Sequence, residues 1–528
     1  MTQASHIKST FKNAFIYGGG NILSKAIGFI MLPVYAFFLR GEGYGIIGMI
    51  DVILTVLTLL IGYGISGTLR RFYFQKPTEL DQNIFVSTNI VLMFFLVIAV
   101  TIPALFFREQ IAQLAFGKNG MGFYVTLALC SFIADVTGRN AESYIIILQK
   151  SILYTELAIA RLVIGLSLNI YLIVHLRLAV LGFLYSGLIT AIIFSFVMHG
   201  YVLYHVGLHF RNSDAKDILE FSLPLLPGYV AMFFRNNTDR IMLRKYLGLA
   251  QLGAFEMLFK FATLIGVLIS EPFMKSWDVK RFEICEKPDG PAIMARVFTL
   301  QLAVNLFIGL ILSLEIPLLL KVLTPKEFWL GGDIALLAVA SRIILDSYYQ
   351  FFFGLLYAKR TFLISIIQFI SAGLSVIINW IFIKKYGVLG AVTASCVVNA
   401  AQSLIAYYLA QKYYRIPFEW VKVTCMVFTV FILFILINLI SIEGTVLGNW
   451  MSNSMREPFA YMMHALHLNA FKGGKLMNFV INNIPTVIEG GGKLILSFLF
   501  ILILPLFGIY PRDLLRKMRD GNEQIETV

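Results

Sequence analysis

FSLPLLPGYVAMFFRNNTDRIML, residues 221–243, decides how this chain is read. The stretch is apolar enough for a bilayer, yet Pro224, Pro227 and Gly228 interrupt its first half and Arg235, Asp239 and Arg240 charge its second. Lipid offers no partner to a freed backbone group or a bare charge, so these residues must face protein or a water-filled cavity. Residues 15–39, FIYGGGNILSKAIGFIMLPVYAFFL, form a counterpart in the N-terminal half, with Gly18, Gly19 and Gly20 at the weak place and Lys25 as the buried charge. Two interrupted apolar segments at matching positions of two halves point to a transport site.

The rest of the composition agrees. Of 528 residues, 58% are hydrophobic and 14% charged, and the mean hydropathy is +0.79. Only a lipid solvent removes the need to hide that much apolar surface, so this is an integral membrane protein. The formal net charge of +13 lies mostly at the ends of predicted spans, beside anionic headgroups, which sets nucleic acid aside as a partner. Cys130, Cys396 and Cys425 fall inside predicted spans and Cys285 in a polar loop, a spacing that suggests neither a disulfide framework nor a metal site. The first apolar stretch is too long for a signal-peptide core and lacks a small-x-small cleavage site, so it is expected to be retained as the first span.

Windows of about 20 apolar residues place spans near 11–38, 44–69, 84–107, 121–148, 152–175 and 179–206. A second set follows near 217–243, 250–274, 293–322, 333–358, 362–383 and 388–411, with two more near 421–440 and 492–509. The expectation is an all-α polytopic membrane protein of about 14 transmembrane helices. Alternate loops differ in Lys and Arg, and the excess places both termini of a multi-pass membrane protein in the cytoplasm.

Internal repetition is the stronger signal. Leu39 and Gly45 match Leu247 and Gly253, Gly20 matches Gly228, Gly165 matches Gly373, and Leu181-Gly182 matches Leu389-Gly390, all at a shift of ~208 residues. A shift of six spans is even, so the two copies are parallel repeats about an axis along the membrane normal. The expected domains are an N-terminal lobe over 1–207, a C-terminal lobe over 208–420, and an appendage over 421–528. The appendage holds two extra helices, a long non-cytoplasmic connection at 441–491 and a basic cytoplasmic tail. Phe459, Met463, Leu466 and Ala470 have helical spacing in that connection, which reads as an interfacial amphipathic pair or else as a flexible loop. His464 and His467 lack a nearby Cys or acidic ligand, so no metal is expected there.

A charge near the bilayer centre costs at least about 2.5 kcal/mol on insertion scales, so each requires a reason. Asp135 with Arg139, Arg342 with Asp346, Glu256 with Lys260, and Arg235 with Asp239 are i, i+4 pairs able to neutralise themselves on one helical face. The Asp135/Arg139 and Arg342/Asp346 pairs also coincide under the repeat, with signs reversed, either as locks within a lobe or as lining of a path. Lys25, Arg235 and Arg240 are candidates for anion contacts in a central cavity, or else are held in salt bridges or snorkel to the interface. Asp51, Asp135, Arg139, Asp239, Glu256, Lys260, Arg342 and Asp346 are candidates for coupling or gating, as are Arg161 with Glu156, and Glu142, Glu271 and Glu315 singly. No catalytic residue and no cofactor is expected.

The run FKNAFIYGGGNILSKAIGFIMLPVYAFFL followed by RGEGYGIIGMIDVI, and the later NNTDRIMLRKYLGLAQLGAFEMLFKFA, resemble the O-antigen flippase-like polysaccharide transporters of the multidrug, oligosaccharidyl-lipid and polysaccharide exporter superfamily. The resemblance covers residues 11–440 and the last helix. It implies a V-shaped two-lobe bundle of 12 helices plus two. It also implies movement of an undecaprenyl-pyrophosphate-linked oligosaccharide between the leaflets of the bacterial inner (cytoplasmic) membrane by alternating access, for cell-surface polysaccharide such as lipopolysaccharide O-antigen. The family's cavity cations fall on Lys25, Arg235 and Arg240, while the 441–491 connection is longer than the family's usual link.

The first reading is therefore a lipid-linked oligosaccharide flippase, not an enzyme. Its partners would be the lipid-linked oligosaccharide, membrane lipids and glycan assembly proteins, and it would act as a monomer. A multidrug or cation antiporter of the same superfamily is the alternative; it wants an acid in the first span, where this chain has Lys25, though Asp51 keeps that reading open. A membrane glycan polymerase or glycosyltransferase is the third, and it lacks a D-x-D metal motif. Nucleotide-driven transport fails because Gly492-Lys493 is followed by Leu494.

Overall fold

The computed structural model describes residues 31–61, 65–440, 493–494 and 496–507. Lys25, the glycines at 18–20, the 441–491 connection and the basic tail all lie outside the described residues. In chain order the helices are α1 (Leu32–Ile61), α2 (Ile65–Phe72), α3 (Glu79–Phe106), α4 (Arg108–Phe116), α5 (Gly122–Ile147), α6 (Ser151–Asn169), α7 (Ala179–Val206), α8 (Asn212–Ser222) and α9 (Leu226–Leu247). They continue with α10 (Leu249–Ala262), α11 (Glu271–Ile284), α12 (Gly290–Leu323), α13 (Ala335–Phe351), α14 (Phe353–Tyr357), α15 (Thr361–Ala410), α16 (Trp420–Ile440) and α17 (Leu499–Ile503). The described residues contain no strand, and ten helical stretches among them are long and apolar enough to cross a membrane.

Local chemistry explains where these helices begin and bend. Thr78 caps α3 by accepting from the Asp81 N–H at 3.1 Å, and Glu79 and Asp81 set negative charge at the positive end of the helix. The span expected at 217–243 is two helices: the amphipathic α8, a 3₁₀ turn over Leu223–Leu225, then α9. Pro224 and Pro227 open the second and third of these segments, where a missing N–H costs nothing. The prolines thus join helices rather than break one.

Backbone breaks repeat along the chain. Arg40, inside α1, has φ 62 and ψ 177, and Gly248, which ends α9, has φ 87 and ψ 179. They stand 208 residues apart. Gln149 (φ 54) precedes Lys359 (φ 56) by 210 residues, and Arg177 (φ 55) precedes Gly387 (φ 60) by 210. A left-handed conformation costs roughly 1–2 kcal/mol outside glycine, so three matched pairs mark one chain path used twice. Gly387 also divides the 50 residues of α15 into the two expected spans.

The chain divides into two compact units, Met1–Glu256 with Gln368–Ala391, and Met257–Ile367 with Val392–Val528. In the first, α5 packs on α3 and α7. A buried amide ladder ties α2, α3 and α5: Asn140 Nδ2 donates to Asn89 Oδ1 at 2.9 Å, and Asn89 Nδ2 to Thr68 Oγ1 at 2.8 Å. Such bonds join apolar helices that gain little from leaving lipid. In the second, Phe298, Leu302, Leu306, Leu310 and Leu314 form an i, i+4 stripe on α12, which packs on α13. Trp277 Nε1 donates to Gln350 Oε1 at 3.0 Å, and Gln350 Nε2 donates to Gln301.

Candidate functional site

A cavity of about 980 Å³ opens within the first unit. Its main wall is one face of α5, where Phe132, Asp135, Val136, Arg139, Glu142, Ser143 and Ile146 show the three- and four-residue recurrence of a single helical face. Asp51, Thr55 and Thr58 of α1, Met93 of α3, Tyr154 of α6, and Phe221, Leu225 and Tyr229 complete it.

The geometry of the α5 wall is set by one carboxylate. Asp135 Oδ2 accepts from Arg139 Nη2 at 2.7 Å, and its other oxygen accepts from Arg161 of α6. The Arg161 guanidinium also lies 4.7 Å over the Phe194 ring. The Arg139 side chain remains 65% exposed against 27% for Arg161. Arg161 thus fixes Asp135, which steadies Arg139 at the cavity surface with much of its donor fork turned to water. The pairing of Arg161 with Glu156 that the sequence suggested gives way to this one. Asp135 and Arg161 lie 13 residues either side of Leu148 at the α5–α6 turn, hence at equal depth in the hairpin.

Arg240 and Arg235 of α9 are placed differently. Arg240 grips Glu256 of α10 with two nitrogens, Nε to Oε1 and Nη2 to Oε2, the latter at 3.2 Å. It also donates to the Asn236 carbonyl at 3.0 Å. Glu256 is 8% exposed, so the pair is a buried clamp between successive helices. Asp239 accepts from the Arg240 backbone N–H at 2.8 Å. Arg235 is half-buried, donating to Asn236 Oδ1 at 3.0 Å while its carbonyl accepts from Ser375 Oγ at 3.3 Å. Lys260 is exposed on α10.

Beside Glu256, α1 and α10 touch through main chain. A Cβ on Gly45 would lie 2.0 Å from the Leu249 carbonyl oxygen, and a Cβ on Gly253 would lie 1.9 Å from that of Gly41. The contact is reciprocal under the repeat, because Gly45 corresponds to Gly253 and Gly41 to Leu249. Gly48 then leaves space for its own counterpart, Glu256, whose Cγ would lie 3.1 Å from a Cβ there.

The second unit holds the remaining predicted pair. Arg342 Nε meets Asp346 Oδ1 at 3.3 Å, and Ser270 Oγ donates to Asp346 Oδ2 at 2.5 Å. Asp346 is 3% exposed. The structure therefore gives the two sign-reversed pairs different surroundings: Asp135 and Arg139 line a cavity, whereas Arg342 and Asp346 are packed inside. Asp51, Asp135 and Arg139 come together on one cavity; among the described lining, Arg235 and Arg240 do not join them. Glu142, a coupling or gating candidate from sequence, lines the same cavity, whereas Tyr154 and Tyr229 were not singled out from sequence.

The family model described as polysaccharide biosynthesis protein matches residues 10–277. The Lsg locus putative protein 1 of Haemophilus influenzae is 23% identical over 270 residues, covering 49% of this chain and 63% of the relative, so less than two thirds of that protein is spanned. The lipid II flippase MurJ, solved in an inward closed conformation, aligns with a TM-score of 0.63 and 15% identity over 94% of this chain and 99% of its own. An outward-facing multidrug resistance MATE family transporter of the MOP superfamily aligns with a TM-score of 0.51 and 15% identity over 76% of this chain and 95% of its own. At these identities the solved structures establish the fold.

Proposed function

We propose, from the premise that this chain belongs to the polysaccharide biosynthesis protein family, that it moves a polyprenyl-diphosphate-linked oligosaccharide between the leaflets of a bacterial cytoplasmic membrane. The observation that carries this reading is a roomy cavity lined by ionisable side chains within a chain of membrane-spanning helices. A sugar diphosphate cannot cross hydrocarbon bare, because burying its polar groups without partners is too costly. A polar cleft lets the head pass while the polyprenyl tail stays in lipid. Alternating access between lobes at 1–207 and 208–420, with both termini cytoplasmic, is the motion this reading assigns.

Lys25, Arg235 and Arg240 remain the proposed diphosphate contacts, Arg240 by exchanging its Glu256 partner for the diphosphate, and Arg139 joins them because its guanidinium stands exposed on the cavity wall. Asp51, Asp239, Glu256, Lys260, Arg342 and Asp346 are proposed for coupling or gating. The test is surface glycan in a strain whose own flippase is deleted. Expression of this chain restores the glycan, and Lys25→Ala, Arg235→Ala or Arg139→Ala abolishes it at wild-type membrane abundance. Normal glycan from all three variants would refute the assignment.

A cation antiporter is the second reading, favoured by the carboxylates of Asp51 and Glu142 on the same cavity. It predicts drug resistance in a sensitive strain and no glycan phenotype.

A further inference from the structure

Within the first unit, two helix ends meet on a group of rings and lysines that lies apart from the cavity lining. α9 closes with Lys245 and Tyr246, and the first half of α15 closes with Lys384, Lys385 and Tyr386 before its break at Gly387. The Lys384 ammonium lies 4.7 Å from the centre of the Trp380 ring and 5.2 Å from that of Tyr246. The Lys245 ammonium lies 5.7 Å from the same Tyr246 ring, and that of Lys385 lies 5.2 Å from Tyr386. All three lysines are exposed, and none forms an ion pair among the described residues. Two ammonium groups gathered on one ring repel each other, and an anion laid between them relieves a repulsion that the rings offset only in part.

The fold does not call for these cations. At the interval that aligns Arg40 with Gly248, Lys245 falls on Phe37; at the interval that aligns Arg177 with Gly387, Lys384 and Lys385 fall on Val174 and His175. The N-terminal copy thus follows the same path without a lysine at any of the three places. On the orientation proposed above, this end of α9 and α15 is also the non-cytoplasmic one, where the general excess of Lys and Arg does not account for them. Below the lysines, Ile377, Trp380 and Ile381 are 55%, 49% and 49% exposed and continue the Lys384 face along the helix. On a membrane-spanning helix an exposed apolar face meets acyl chains, and a Trp with a cation one turn beyond it marks the level of the headgroups.

We propose that this patch binds the phosphate of an anionic phospholipid of the bilayer, with the acyl chains on the face formed by Ile377 and Ile381. The lysine stems lie along the rings while the ammonium groups reach the headgroup, each offering up to three N–H donors to the free phosphate oxygens. Net charge separates the candidate lipids. A zwitterionic headgroup brings its own ammonium to a place that already holds three, whereas an anionic one brings only the charge that is wanted. The occupant is a bilayer lipid rather than the cargo, because the lysines border an exposed apolar face and are not on the cavity walled by α5. A bound headgroup bridges α9 and α15, helices far apart in the chain, and so stabilises their junction. The proposal does not depend on the flippase reading.

The test uses the full chain purified in detergent and depleted of lipid, with binding read by native mass spectrometry and by the shift in melting temperature. Three probes are titrated: phosphatidylglycerol, phosphatidylethanolamine with the same acyl chains, and a bare polyprenyl diphosphate. Phosphatidylglycerol is expected to bind at least about tenfold more tightly than phosphatidylethanolamine, and to raise the melting temperature. Lys245→Gln combined with Lys384→Gln is expected to shrink that preference to within about threefold. Lys412→Gln combined with Arg415→Gln, exposed cations beyond the C-terminus of α15, is expected to keep it. Unchanged melting without lipid shows that each variant is folded; Lys385→Gln, with a loss of about threefold, gives the same reading if the double variant melts early. Equal binding of the two phospholipids, or binding of neither, overturns the proposal. So does an undiminished preference in the Lys245, Lys384 and Lys385 variants, or an equal loss in the Lys412 and Arg415 control, which would mean diffuse attraction. Polyprenyl diphosphate that binds more tightly than phosphatidylglycerol, and is lost in the Lys245 and Lys384 variant, makes the patch a cargo site and overturns the assignment to a bilayer lipid.

Discussion

Removing Arg161 and removing Arg139 should have opposite profiles, although both guanidinia bind the same carboxylate. Arg161 is 27% exposed and Asp135 22%, so their bond is partly desolvated. A hydrogen bond between such charged groups is worth about 1.5–3 kcal/mol. Arg161→Met keeps the apolar stem but removes both the donor and the cation over Phe194, so it should cost at least about that much and lower the melting temperature by several degrees. Arg139 is 65% exposed, and pairs that open to water contribute about 0–1 kcal/mol. Arg139→Met should therefore melt near wild type. In complementation the order inverts: Arg139→Met loses surface glycan, while Arg161→Met keeps part of it, because Asp135 still holds Arg139. The assay is thermal unfolding of the detergent-solubilised chain with a double-mutant cycle through Asp135→Asn. A coupling energy for the 135–139 pair larger than that for the 135–161 pair would refute the reasoning.

Two further outcomes follow from the packing. Gly253→Val should destabilise the chain by about 1–3 kcal/mol or more, because the added carbon meets the Gly41 main chain at 1.9 Å and main chain cannot swing aside; unchanged melting and function would mean the helices do not touch there. Cys285 is 6% exposed, and burial, with a smaller contribution from Glu286, pushes its thiol pKa up, so less of it is thiolate at neutral pH. Maleimide should label it at least about tenfold more slowly in the folded chain than after denaturation, measured by intact mass in a variant lacking the other three cysteines.

The spans were legible because a bilayer demands long apolar windows. The expected span at 179–206 coincides with α7, and the break expected before residue 388 lies at Gly387. The twofold path was legible too, since glycines and short turns recur at one interval and the backbone breaks at Arg40 and Gly248 share it. Charge pairs within one helix, Asp135 with Arg139 and Arg342 with Asp346, follow from the pitch alone. Pairs between helices do not. Arg161 with Asp135 and Arg240 with Glu256 depend on how each helix is rotated about its axis, which no spacing rule states. For the same reason the sequence could not distinguish the arginine that meets a cavity, Arg139, from the one clamped by an acid, Arg240. Nor could it show that α8 is a separate polar-faced helix, because its apolar residues merge with those of the span that follows.

The place where α1 meets α10 has a mechanical meaning. Interlocked side chains must withdraw from their sockets before two helices part, and each withdrawal passes through a crowded rotamer. Here, at Gly45 and Gly253, carbonyls and bare α-carbons lie against each other, and only the Glu256 side chain leans in beside them, at Gly48. Parting such a seam would require almost no side chain to withdraw, since the ionic grip of Arg240 on Glu256 ties α10 to α9 and leaves α1 outside it.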